Sequence, residues 1–594
     1  LVRNALDTYW KTAHCKRTWS CSRRWCLVGS VLSALVAGAL VALLVLQPWA
    51  GRDHPRYPHA AIAANGYECA SIGRSILEKN GSAVDAAIAT LFCEGVSCAQ
   101  CMGLGGGFLA TIYDAGTGRV RVMNARERAP AATSQDMYEN ASSTVGGLAV
   151  AVPGELRGYG AMYREYGRLD WSELVKPTAD LCRRGHVVNE YMARVLQSYS
   201  DRILAEPSMR EVYVNPATGK VWVQGDRIRE PTLANTLDLI AEHGPEAIHN
   251  GSLTAALARD IREHGGIVTE EDLRNFRVEW QEPIPVPLGG GRTLYSVPLP
   301  GSGSVLGFIL NMLRGWVGEA PAATGSPLYW HRVVESFKYA YAKRTGLGDP
   351  LRSNLPYDIR ELERNLTSPE WAASFRALVD DERTYSDWRH YGALFEGADD
   401  HGTAHVVVVA PDGSVVSATS TINYIWGSQR RSQTLGFMLN NEMDDFAIPN
   451  RESAYGMPPS PANLLSPGLQ PLSSMVPAVV LNGDNKVEMV LGGAGGTKIT
   501  TQVALTVMHT LLEGGDFTEV MHRPRLHHQL VPMEVEHEAD FNPEIISSLA
   551  ARGHATTERG PTAGFAALVG IARDAAGYLV PQTDRRRVGS VDGF

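Results

Sequence analysis

An uncharged run near the start of the chain places the strongest constraint on how this sequence can fold. Residues 27–46 read LVGSVLSALVAGALVALLVL, which is long enough to cross the hydrocarbon core of a bilayer as a helix. Basic residues precede this run, so the positive-inside rule predicts a cytoplasmic tail at 1–26, a short stem at 47–57 and an extracellular remainder. A cleaved signal peptide is the alternative, although its apolar core is usually shorter.

The rest of the chain has the composition of an ordinary globular protein. Of the 594 residues of the whole chain, 44% are hydrophobic and 20% are charged, which excludes wholesale disorder and a collagen-like rod. The formal net charge of -9 argues against binding to nucleic acid. Cys98 and Cys101 have CxxC spacing, but no second pair or nearby histidine follows, so they do not by themselves indicate a metal or redox site.

Helical and strand patterns alternate along the chain and are separated by glycine-containing turns. The segment 81–85, followed by AAIATLFC, is typical of a capped helix with an apolar face. This alternation predicts a layered architecture of helices and sheets. Further helical patterns occur at 232–265 and 328–345, and strand patterns occur at 107–113, 118–124, 404–409, 414–420 and 487–491.

One β-hairpin can be predicted in more detail. The strands AHVVVV and SVVSATS are separated by Pro-Asp-Gly at 411–413, and Asp-Gly suits a type I′ turn. If the turn is centred between the aspartate and the glycine, Thr403 faces Ile422, with Thr421 and Asn423 as neighbours. The predicted register, good to about one residue, therefore brings Thr403 to a cluster of small polar residues at the end of the next strand.

Several familiar site motifs are absent from the sequence, including the HExxH zinc motif, the GxSxG elbow and the Walker loop. The glycine clusters at 103–107 and 492–497 do not fit the dinucleotide-binding pattern, and one of them could instead offer backbone N–H groups to an anion. Four histidines match no common ligand spacing and are expected to be structural or at the surface: His522, His527, His528 and His537.

Ten short blocks, taken in order, resemble the γ-glutamyltranspeptidase (glutathione hydrolase) family of N-terminal-nucleophile hydrolases. The resemblance extends from about residue 58 to residue 594 and is closest to the membrane-anchored animal type. It implies an α/β (α+β) fold, a four-layer αββα sandwich, with large and small subunits cut from one precursor. The blocks are NGSAVDAAIA, MGLGGGF, NARERAP, PGELRGY, GTAH, SATSTIN, LNNEMDDF, PPSPAN, PLSSM and GGAGGTKI.

The resemblance implies that the precursor cuts itself between Gly402 and Thr403. A large subunit would occupy 58–402 and a small subunit 403–594. A threonine hydroxyl is a weak nucleophile and needs a nearby base. The cut frees the α-amine of Thr403, whose reference pKa of roughly 7.7–8.0 lets this residue supply both the nucleophile and the base.

The resemblance also implies the substrate-binding residues. Arg126 would bind the α-carboxylate of a γ-glutamyl substrate, because a guanidinium makes a two-point contact that lysine cannot make. The other implied contacts follow. Ser473 and Ser474 would bind the same carboxylate, whereas Glu442, Asp445 and Asn423 would bind the ammonium group of the substrate. Thr421 would hydrogen-bond the Thr403 hydroxyl. The N–H groups of Gly495 and Gly496 would stabilise the oxyanion. Asp444 is the alternative to Asp445.

Several further expectations follow. The family resemblance implies a disulfide between Cys69 and Cys93 and no metal or organic cofactor. The expected partners are a γ-glutamyl donor such as glutathione and an acceptor that is water, an amino acid or a dipeptide. An extracellular position on a single-pass type II plasma-membrane protein would expose four glycosylation sequons. They begin at Asn80, Asn140, Asn250 and Asn365.

Three alternatives to a glutathione-cleaving ectoenzyme stay open at this point. The chain could prefer glutathione conjugates of the leukotriene type. It could be an uncut, inactive membrane-anchored binding protein. It could also be an acylase of the same fold that keeps Thr403 but does not need Arg126. His401 and Ile425 depart from the family pattern, which leaves the rate of processing and the acceptor preference open.

Overall fold

The computed structural model describes residues 55–317, 324–395, 402–449, 457–560 and 564–594. The predicted tail, the apolar run at 27–46 and most of the predicted stem lie outside these ranges. Within them, none of the helices combines the length and the apolar character that crossing a bilayer requires.

The described residues contain twenty strands. They are β1 (Ala61–Ala64), β2 (Gly107–Asp114), β3 (Arg119–Ala125), β4 (His186–Val187), β5 (Val214–Asn215), β6 (Lys220–Val221), β7 (Arg227–Ile228), β8 (Glu279–Gln281), β9 (Ile284–Gly289), β10 (Arg292–Ser296), β11 (Ala404–Val409), β12 (Val415–Thr421), β13 (Ala478–Leu481), β14 (Val487–Ala494), β15 (Leu526–His527), β16 (Val535–Glu538), β17 (Thr556–Arg559), β18 (Ala567–Arg573), β19 (Leu579–Thr583) and β20 (Ser590–Gly593).

The described residues also contain eighteen α-helices. They are α1 (Cys69–Glu78), α2 (Ala83–Ser97), α3 (Glu155–Tyr166), α4 (Trp171–Arg184), α5 (Glu190–Ser198), α6 (Ser200–Ala205), α7 (Pro207–Tyr213), α8 (Pro231–His243), α9 (Ala247–Asn250), α10 (Thr254–Glu263), α11 (Glu270–Asn275), α12 (Gly303–Arg314), α13 (Pro327–Arg344), α14 (Ile359–Thr367), α15 (Pro369–Arg376), α16 (Lys498–Val507), α17 (Phe517–His522) and α18 (Pro543–Ala551).

Two antiparallel sheets form the centre of the molecule. The first sheet has the strand order β20-β1-β11-β12-β2-β3-β8, and the second has the order β19-β18-β14-β13-β10-β9. Valines of β11 and β12 pack against valines of β13, β14 and β18 in a shared core between the sheets. The other face of the first sheet packs on α1 to α4, and the other face of the second packs on α12, α13 and α16. The layers are therefore helix, sheet, sheet and helix.

Each of the two sheets contains strands from both sides of the predicted subunit boundary at 402/403. In the first sheet, β1, β2, β3 and β8 precede the boundary, whereas β11, β12 and β20 follow it. In the second sheet, β9 and β10 precede it and the other four strands follow it. If the chain is cut there, the two products share one hydrophobic core and stay associated.

Local sequence signals account for the start and the end of several helices. The predicted capped helix is α2, where Ser82 and Asp85 form a reciprocal capping box. The structure contains three helices, α8, α9 and α10, where helical patterns are predicted at 232–265. Gly244, Pro245 and Gly251 lie at the interruptions, and Gly244 adopts a φ of 83°, a conformation that disfavours other residues.

The hairpin of β11 and β12 differs from the predicted register by one residue. Ala404 pairs with Ser420, so the continuation of the ladder places Thr403 opposite Thr421 rather than opposite Ile422. The reason is the turn, in which the N–H of Ala410 bonds to the carbonyl of Ser414 at 2.9 Å. Three residues therefore form the loop instead of two, with its last residue, a glycine, at a φ of 86°.

The two sheets approach closely where β11 faces β14. A Cβ atom placed on Gly492 would lie 2.1 Å from the ring of His405. The His405 ring is itself fixed, since its Nδ1 lies 2.8 Å from the Thr419 hydroxyl. Ser417 Oγ donates to the Leu491 carbonyl at 3.3 Å and links the same two sheets. The first glycine of the 492–497 cluster is thus needed for sheet packing.

We predict that Gly492→Ala destabilises the protein by about 1–3 kcal/mol, because the added methyl group overlaps a buried ring that cannot move away. Thermal melting of the purified protein measures the effect. Gly560→Ala is the matched control, since a Cβ at Gly560 meets no atom within 4 Å. Equal melting temperatures for the two variants would contradict the packing argument.

Candidate active site

Four residues at or next to strand ends lie in one row across the first sheet: Thr403, Thr421, Gly107 and Arg126. Thr421 pairs with Gly107. Continuing the ladders by one residue places Thr403 opposite Thr421 and Arg126 opposite Gly107. With neighbouring strands roughly 4.8 Å apart, the Cα atoms of Thr403 and Arg126 are separated by about 14–15 Å, a distance that two inward-pointing side chains and a small substrate can span. Thr403 faces the second sheet, as Val407 and Val409 of β11 do.

Thr403 and Thr421 both contact the carbonyl oxygen of Gly402. Thr421 Oγ1 donates to this oxygen at 2.7 Å, and Thr403 Oγ1 donates to it as well. The expected hydrogen bond from Thr421 to the Thr403 hydroxyl is therefore replaced by one to the carbonyl between Gly402 and Thr403. The side-chain oxygen of Thr421 also accepts the N–H of Asn423 at 2.8 Å. Thr403 is 2% exposed, so this contact is protected from water.

The first glycine cluster lets backbone segments approach this row. A Cβ on Gly106 would lie 2.0 Å from the carbonyl oxygen of Thr421, and one on Gly105 would lie 2.0 Å from that of Met438. Asn423, next to the row, has a φ of 71°. Its side-chain nitrogen donates to the Asn441 carbonyl at 3.1 Å, whereas its buried Oδ1 has no partner among the described residues. That oxygen is suited to accept a hydrogen bond from an ammonium group.

Arg126 lies between two acidic side chains. Its Nη1 contacts Glu442 Oε1, and its Nη2 lies 2.5 Å from Asp445 Oδ2. All three side chains are almost fully buried. Asp444 points elsewhere and accepts a hydrogen bond from Ser143. The structure thus brings Arg126, Glu442 and Asp445 together and favours Asp445 over Asp444.

The acidic residues lie on a short 3-10 helix, Glu442–Asp445. Asn440 precedes this helix and fixes its position. The Asn440 side chain donates to the carbonyls of Gly105 and Ala151 at 2.7 and 3.0 Å, and it accepts the N–H of Glu442 at 3.0 Å. The acidic segment is therefore attached to the glycine turn that leads into β2.

The PLSSM segment at 471–475 lies beside Arg126. Arg126 Nε donates to the Pro471 carbonyl at 3.3 Å, and the neighbouring Gln470 donates to the Arg126 carbonyl at 2.8 Å. Ser473 Oγ accepts the N–H of Met475 at 3.2 Å, and Ser474 Oγ accepts a hydrogen bond from Arg344 at 3.0 Å. Both serines are fully buried. The segment that carries these two serines is thus attached to Arg126 through its first residue, Pro471.

The second glycine cluster ends at the turn between β14 and α16. Gly495 has a φ of 132°, and a Cβ there would lie 2.6 Å from Ala566 Cα, so only glycine fits. Gly496 has a φ of 65°. Within the described chain, the N–H groups of Gly495 and Gly496 make no backbone hydrogen bond. They are suited to stabilise a negatively charged oxygen, which is the role that the family resemblance implies for them.

The structure adds buried acidic residues that the sequence reasoning missed. Glu127 and Glu155 are fully buried, and burial raises the pKa of each to about 8. Both carboxyl oxygens of Glu155 lie 2.9 Å from the Ser420 hydroxyl, which donates to them, and Oε1 also accepts a hydrogen bond from Tyr159. Glu155 belongs to the block PGELRGY, but nothing in the block signals that its glutamate is buried. From the sequence alone, Glu155 is instead typical of an acidic residue in the first turn of a helix.

The remaining predicted residues lie away from the row. Cys69 and Cys93 form a disulfide with their Cα atoms 5.4 Å apart. Asn80, Asn140 and Asn250 are exposed, whereas Asn365 is half-buried.

One group of potential metal ligands occurs in the described chain: His331, Glu335 and His554. The Lys338 ammonium group lies 3.3 Å from Glu335 Oε1, and Tyr391 donates to the other carboxylate oxygen at 2.9 Å. His331 Nδ1 lies 2.8 Å from His554 Nε2. A lysine at the carboxylate is unsuited to a cation site, so this group is a hydrogen-bonded network joining α13 to the C-terminal part of the chain.

The sequence is similar to those of several known proteins. A sequence model of the family described as Gamma-glutamyltranspeptidase matches residues 69–594. Scoloptoxin SSD14 of Scolopendra dehaani is 42% identical over 546 residues, which cover 90% of this chain and 92% of that protein. Glutathione hydrolase 5 proenzyme of Mus musculus is 36% identical over 575 residues, which cover 95% and 98% respectively.

A solved structure supports the fold. Cephalosporin acylase from Bacillus halodurans has a TM-score of 0.78 at 22% identity and covers 92% of this chain and 97% of its own. At this identity the likeness concerns the fold alone. Together with the observed layers, it confirms the predicted four-layer αββα class.

We predict that Glu155→Gln weakens the pH dependence of stability. The folded state keeps the Glu155 proton up to about pH 8, whereas the unfolded chain releases it near the ordinary glutamate pKa of 4.5. The folded state therefore binds more protons in this window, and stability falls as the pH rises through it. Between pH 5 and pH 8, the melting temperature of the variant should fall by on the order of 2 °C less than that of the parent.

Melting temperatures at both pH values measure this difference. Glu165→Gln is the control, because Glu165 lies on the same helix with a side chain that is 48% exposed. An unchanged pH dependence in Glu155→Gln would mean that the buried carboxyl group is ionised in the folded protein.

Proposed function

The chain belongs to the gamma-glutamyltranspeptidase family, and from this premise we propose that it hydrolyses and transfers γ-glutamyl groups, with glutathione as the main donor. The observation that carries the proposal is the row that joins Thr403, Thr421 and Arg126 across three adjacent ladders. It combines a buried hydroxyl nucleophile with a buried cation suited to a carboxylate.

The first proposed step is self-cleavage between Gly402 and Thr403. Thr403 Oγ1 attacks the carbonyl carbon of Gly402, the peptide C–N bond breaks, and water then hydrolyses the resulting ester. The hydrogen bond from Thr421 to the Gly402 oxygen supports this step, since it withdraws electron density from the carbonyl. The mouse relative is named a proenzyme, which agrees with a precursor that is processed.

The second proposed step is γ-glutamyl transfer. The Thr403 hydroxyl attacks the γ-carbonyl carbon of the donor while the free α-amine of Thr403 accepts the hydroxyl proton. The bond to the leaving amine breaks, and that amine takes up the proton. Water, an amino acid or a dipeptide then attacks the γ-glutamyl ester and restores the Thr403 hydroxyl. The N–H groups of Gly495 and Gly496 would stabilise the negative oxygen of each tetrahedral intermediate.

The charges near Arg126 fit the end of a γ-glutamyl donor. Its α-carboxylate would bind Arg126 together with Ser473 and Ser474. Its α-ammonium would bind Glu442 and Asp445 with the help of Asn423. Arg126 is already paired with Glu442 and Asp445, and an uncharged acyl group would add no charged partner for any of the three. The zwitterionic end of a γ-glutamyl donor supplies partners of both signs, and this favours it over the acyl groups that an acylase would accept.

An extracellular position is also proposed. The disulfide and the three exposed sequon asparagines support a secretory environment. Anchoring through residues 27–46 is inferred from the sequence pattern of that segment.

We predict that Thr403→Ala abolishes both processing and turnover, because no other group can supply the hydroxyl or the new α-amine. Gel electrophoresis would show a single polypeptide, and a γ-glutamyl anilide assay would show no activity. Thr117→Ala, in an exposed turn, is the control and should behave as the parent does. N-terminal sequencing of the small polypeptide in the parent should begin at Thr403; processing of Thr403→Ala would refute the proposal.

We predict that Arg126→Lys raises KM for γ-glutamyl substrates at least 10-fold, since losing one charged hydrogen bond costs about 1.5–3 kcal/mol. The γ-glutamyl anilide assay measures KM for the variant and for the parent. Arg128→Lys is the matched control, because Arg128 lies two residues further along and contacts Glu279 instead. An unchanged KM in Arg126→Lys would favour the acylase alternative.

A further inference from the structure

Side chains hold the backbone around Thr403 where a neighbouring strand would otherwise pair with it. β1 lies beside β11, and the ladder between them ends at Ala64. Beyond this point, Asn65 Oδ1 accepts the N–H of His405 at 2.8 Å. Arg587 Nη1 donates to the Thr403 carbonyl at 2.5 Å. Buried backbone groups need such partners, so Arg587 replaces a strand at the residue that carries the proposed nucleophile.

Arg587 lies in the turn between β19 and β20 and is held in one orientation. Its Nη2 donates to the Tyr191 hydroxyl at 3.0 Å, and its guanidinium carbon lies 4.3 Å from the centre of the Tyr191 ring. Arg587 is 6% exposed. Within the described ranges, no carboxylate forms an ion pair with it, and its Nε has no hydrogen-bond partner. Its positive charge is therefore directed at the Thr403 carbonyl and is not neutralised by an acid.

The proposed cut between Gly402 and Thr403 would leave this contact intact. The Thr403 carbonyl belongs to the peptide bond with Ala404, which is not cut, whereas the Thr403 nitrogen becomes an α-amine. Arg587 fixes that carbonyl, and β11 is paired with β12 from Ala404 onward. Rotation of the new N-terminal residue is therefore restricted, and its amine and hydroxyl keep their places at the end of β11.

We propose that Arg587 is a positioning residue for Thr403: its guanidinium holds this residue by the carbonyl and places a permanent positive charge beside the α-amine that processing would expose. The carbonyl and the amine are attached to the same Cα atom, so a charge bound to the first is close to the second. No bond is made or broken at Arg587, and the guanidinium keeps its protons throughout. The inference rests on the proposed function, because it concerns the amine that the cut would create.

The sign of the electrostatic effect follows from the charge of Arg587. A guanidinium stays protonated in proteins, and a like charge nearby disfavours the ammonium form and lowers the pKa of an amine. The Thr403 amine would thus act as a base at a lower pH than an ordinary α-amino group, whose pKa is roughly 7.7–8.0.

Other titratable groups face Arg587 and Thr403 from the adjacent elements. They come from α2, the turn after it, α5 and β11: Glu94, Cys98, Cys101, Tyr191 and His405. Two further clusters carry their own counter-charges: Asp584 with Arg525 and Arg586, and Arg126 with Glu442 and Asp445. Burial lowers the pKa of His405 to about 3, so this ring is uncharged near neutral pH. Burial raises the pKa of Glu94 to about 8, so the test must separate this carboxyl group from the amine.

The test is the pH profile of kcat/KM for Arg587→Gln in the processed full chain. Glutamine keeps an N–H donor but removes the charge, so the acid limb should move to higher pH by roughly one unit. Arg587→Lys keeps the charge and should return the limb to its position in the parent. Arg585→Gln is the matched control, because Arg585 lies in the same turn with a side chain that is 45% exposed and bonds to Asp540 at 2.8 Å. It should not move the limb.

A second pair of profiles separates Glu94 from the amine. The shift caused by Arg587→Gln should persist when both profiles are measured in a Glu94→Gln background. Loss of the shift in that background would assign it to Glu94 and overturn the inference.

The remaining outcomes distinguish positioning from a structural role. A lower melting temperature or kcat in Arg587→Gln with an unmoved acid limb would overturn the inference, and so would an equal shift in Arg587→Lys. If Arg587→Gln is not processed, Tyr191→Phe is measured instead. It keeps the charge but removes the hydroxyl that binds Nη2, so kcat should fall several-fold with the limb in place. A kcat equal to that of the parent would overturn the inference.

Failure of the proposed function gives a different result. A parent protein without γ-glutamyl turnover, or processing of Thr403→Ala, would refute that function. Normal parent turnover with an unmoved limb in Arg587→Gln would refute only the role of Arg587.

Discussion

The hydrogen-bonded pairing of β11 with β12 determines how Thr403 lies relative to Thr421 and to the rest of the row across the first sheet. This ladder places Thr403 opposite Thr421, and the next ladder places Thr421 beside Gly107. Strand spacing in a sheet is nearly constant, so distances along the row are fixed by backbone hydrogen bonds rather than by flexible loops. A slip of one residue would turn the Thr403 side chain to the opposite face and away from the second sheet. The register thus controls the chemistry as well as the fold.

Two buried guanidinium groups belong to this site, and they have different counter-charges. Arg126 contacts Glu442 and Asp445, which are two carboxylates. Arg587 contacts a backbone carbonyl and a tyrosine hydroxyl, with a cysteine sulfur close by. Buried ion pairs contribute little to stability when the cost of desolvation is included. A buried guanidinium without a carboxylate is also costly to desolvate, so Arg126 and Arg587 are better explained by binding and orientation than by a gain in stability.

Strand alternation and local turn signals depend on neighbouring residues, so they predicted the layers of helices and sheets and brought Thr403 near Thr421. The choice of Arg126 and the four-layer order came from the family resemblance instead. The sequence missed the exact register, since Asp-Gly suits both a two-residue turn and the three-residue turn that the structure contains. It also missed Arg587, which follows two other arginines and looks like part of an exposed basic run. Only the tertiary fold shows that this arginine turns inward to Thr403.

Close backbone contacts explain why the residue before Thr403 is a glycine. A Cβ on Gly402 would lie 2.4 Å from the carbonyl oxygen of Asn423 and 2.7 Å from the carbonyl carbon of Tyr424. The loop after β12 therefore packs directly on the Gly402–Thr403 peptide. This contact holds the Gly402 carbonyl within reach of the Thr421 hydroxyl. A side chain at Gly402 would push the two segments apart and separate that carbonyl from its hydrogen-bond donor. The same loop carries Asn423, so the geometry of the peptide before Thr403 and the position of a proposed ammonium-binding group depend on one packing contact.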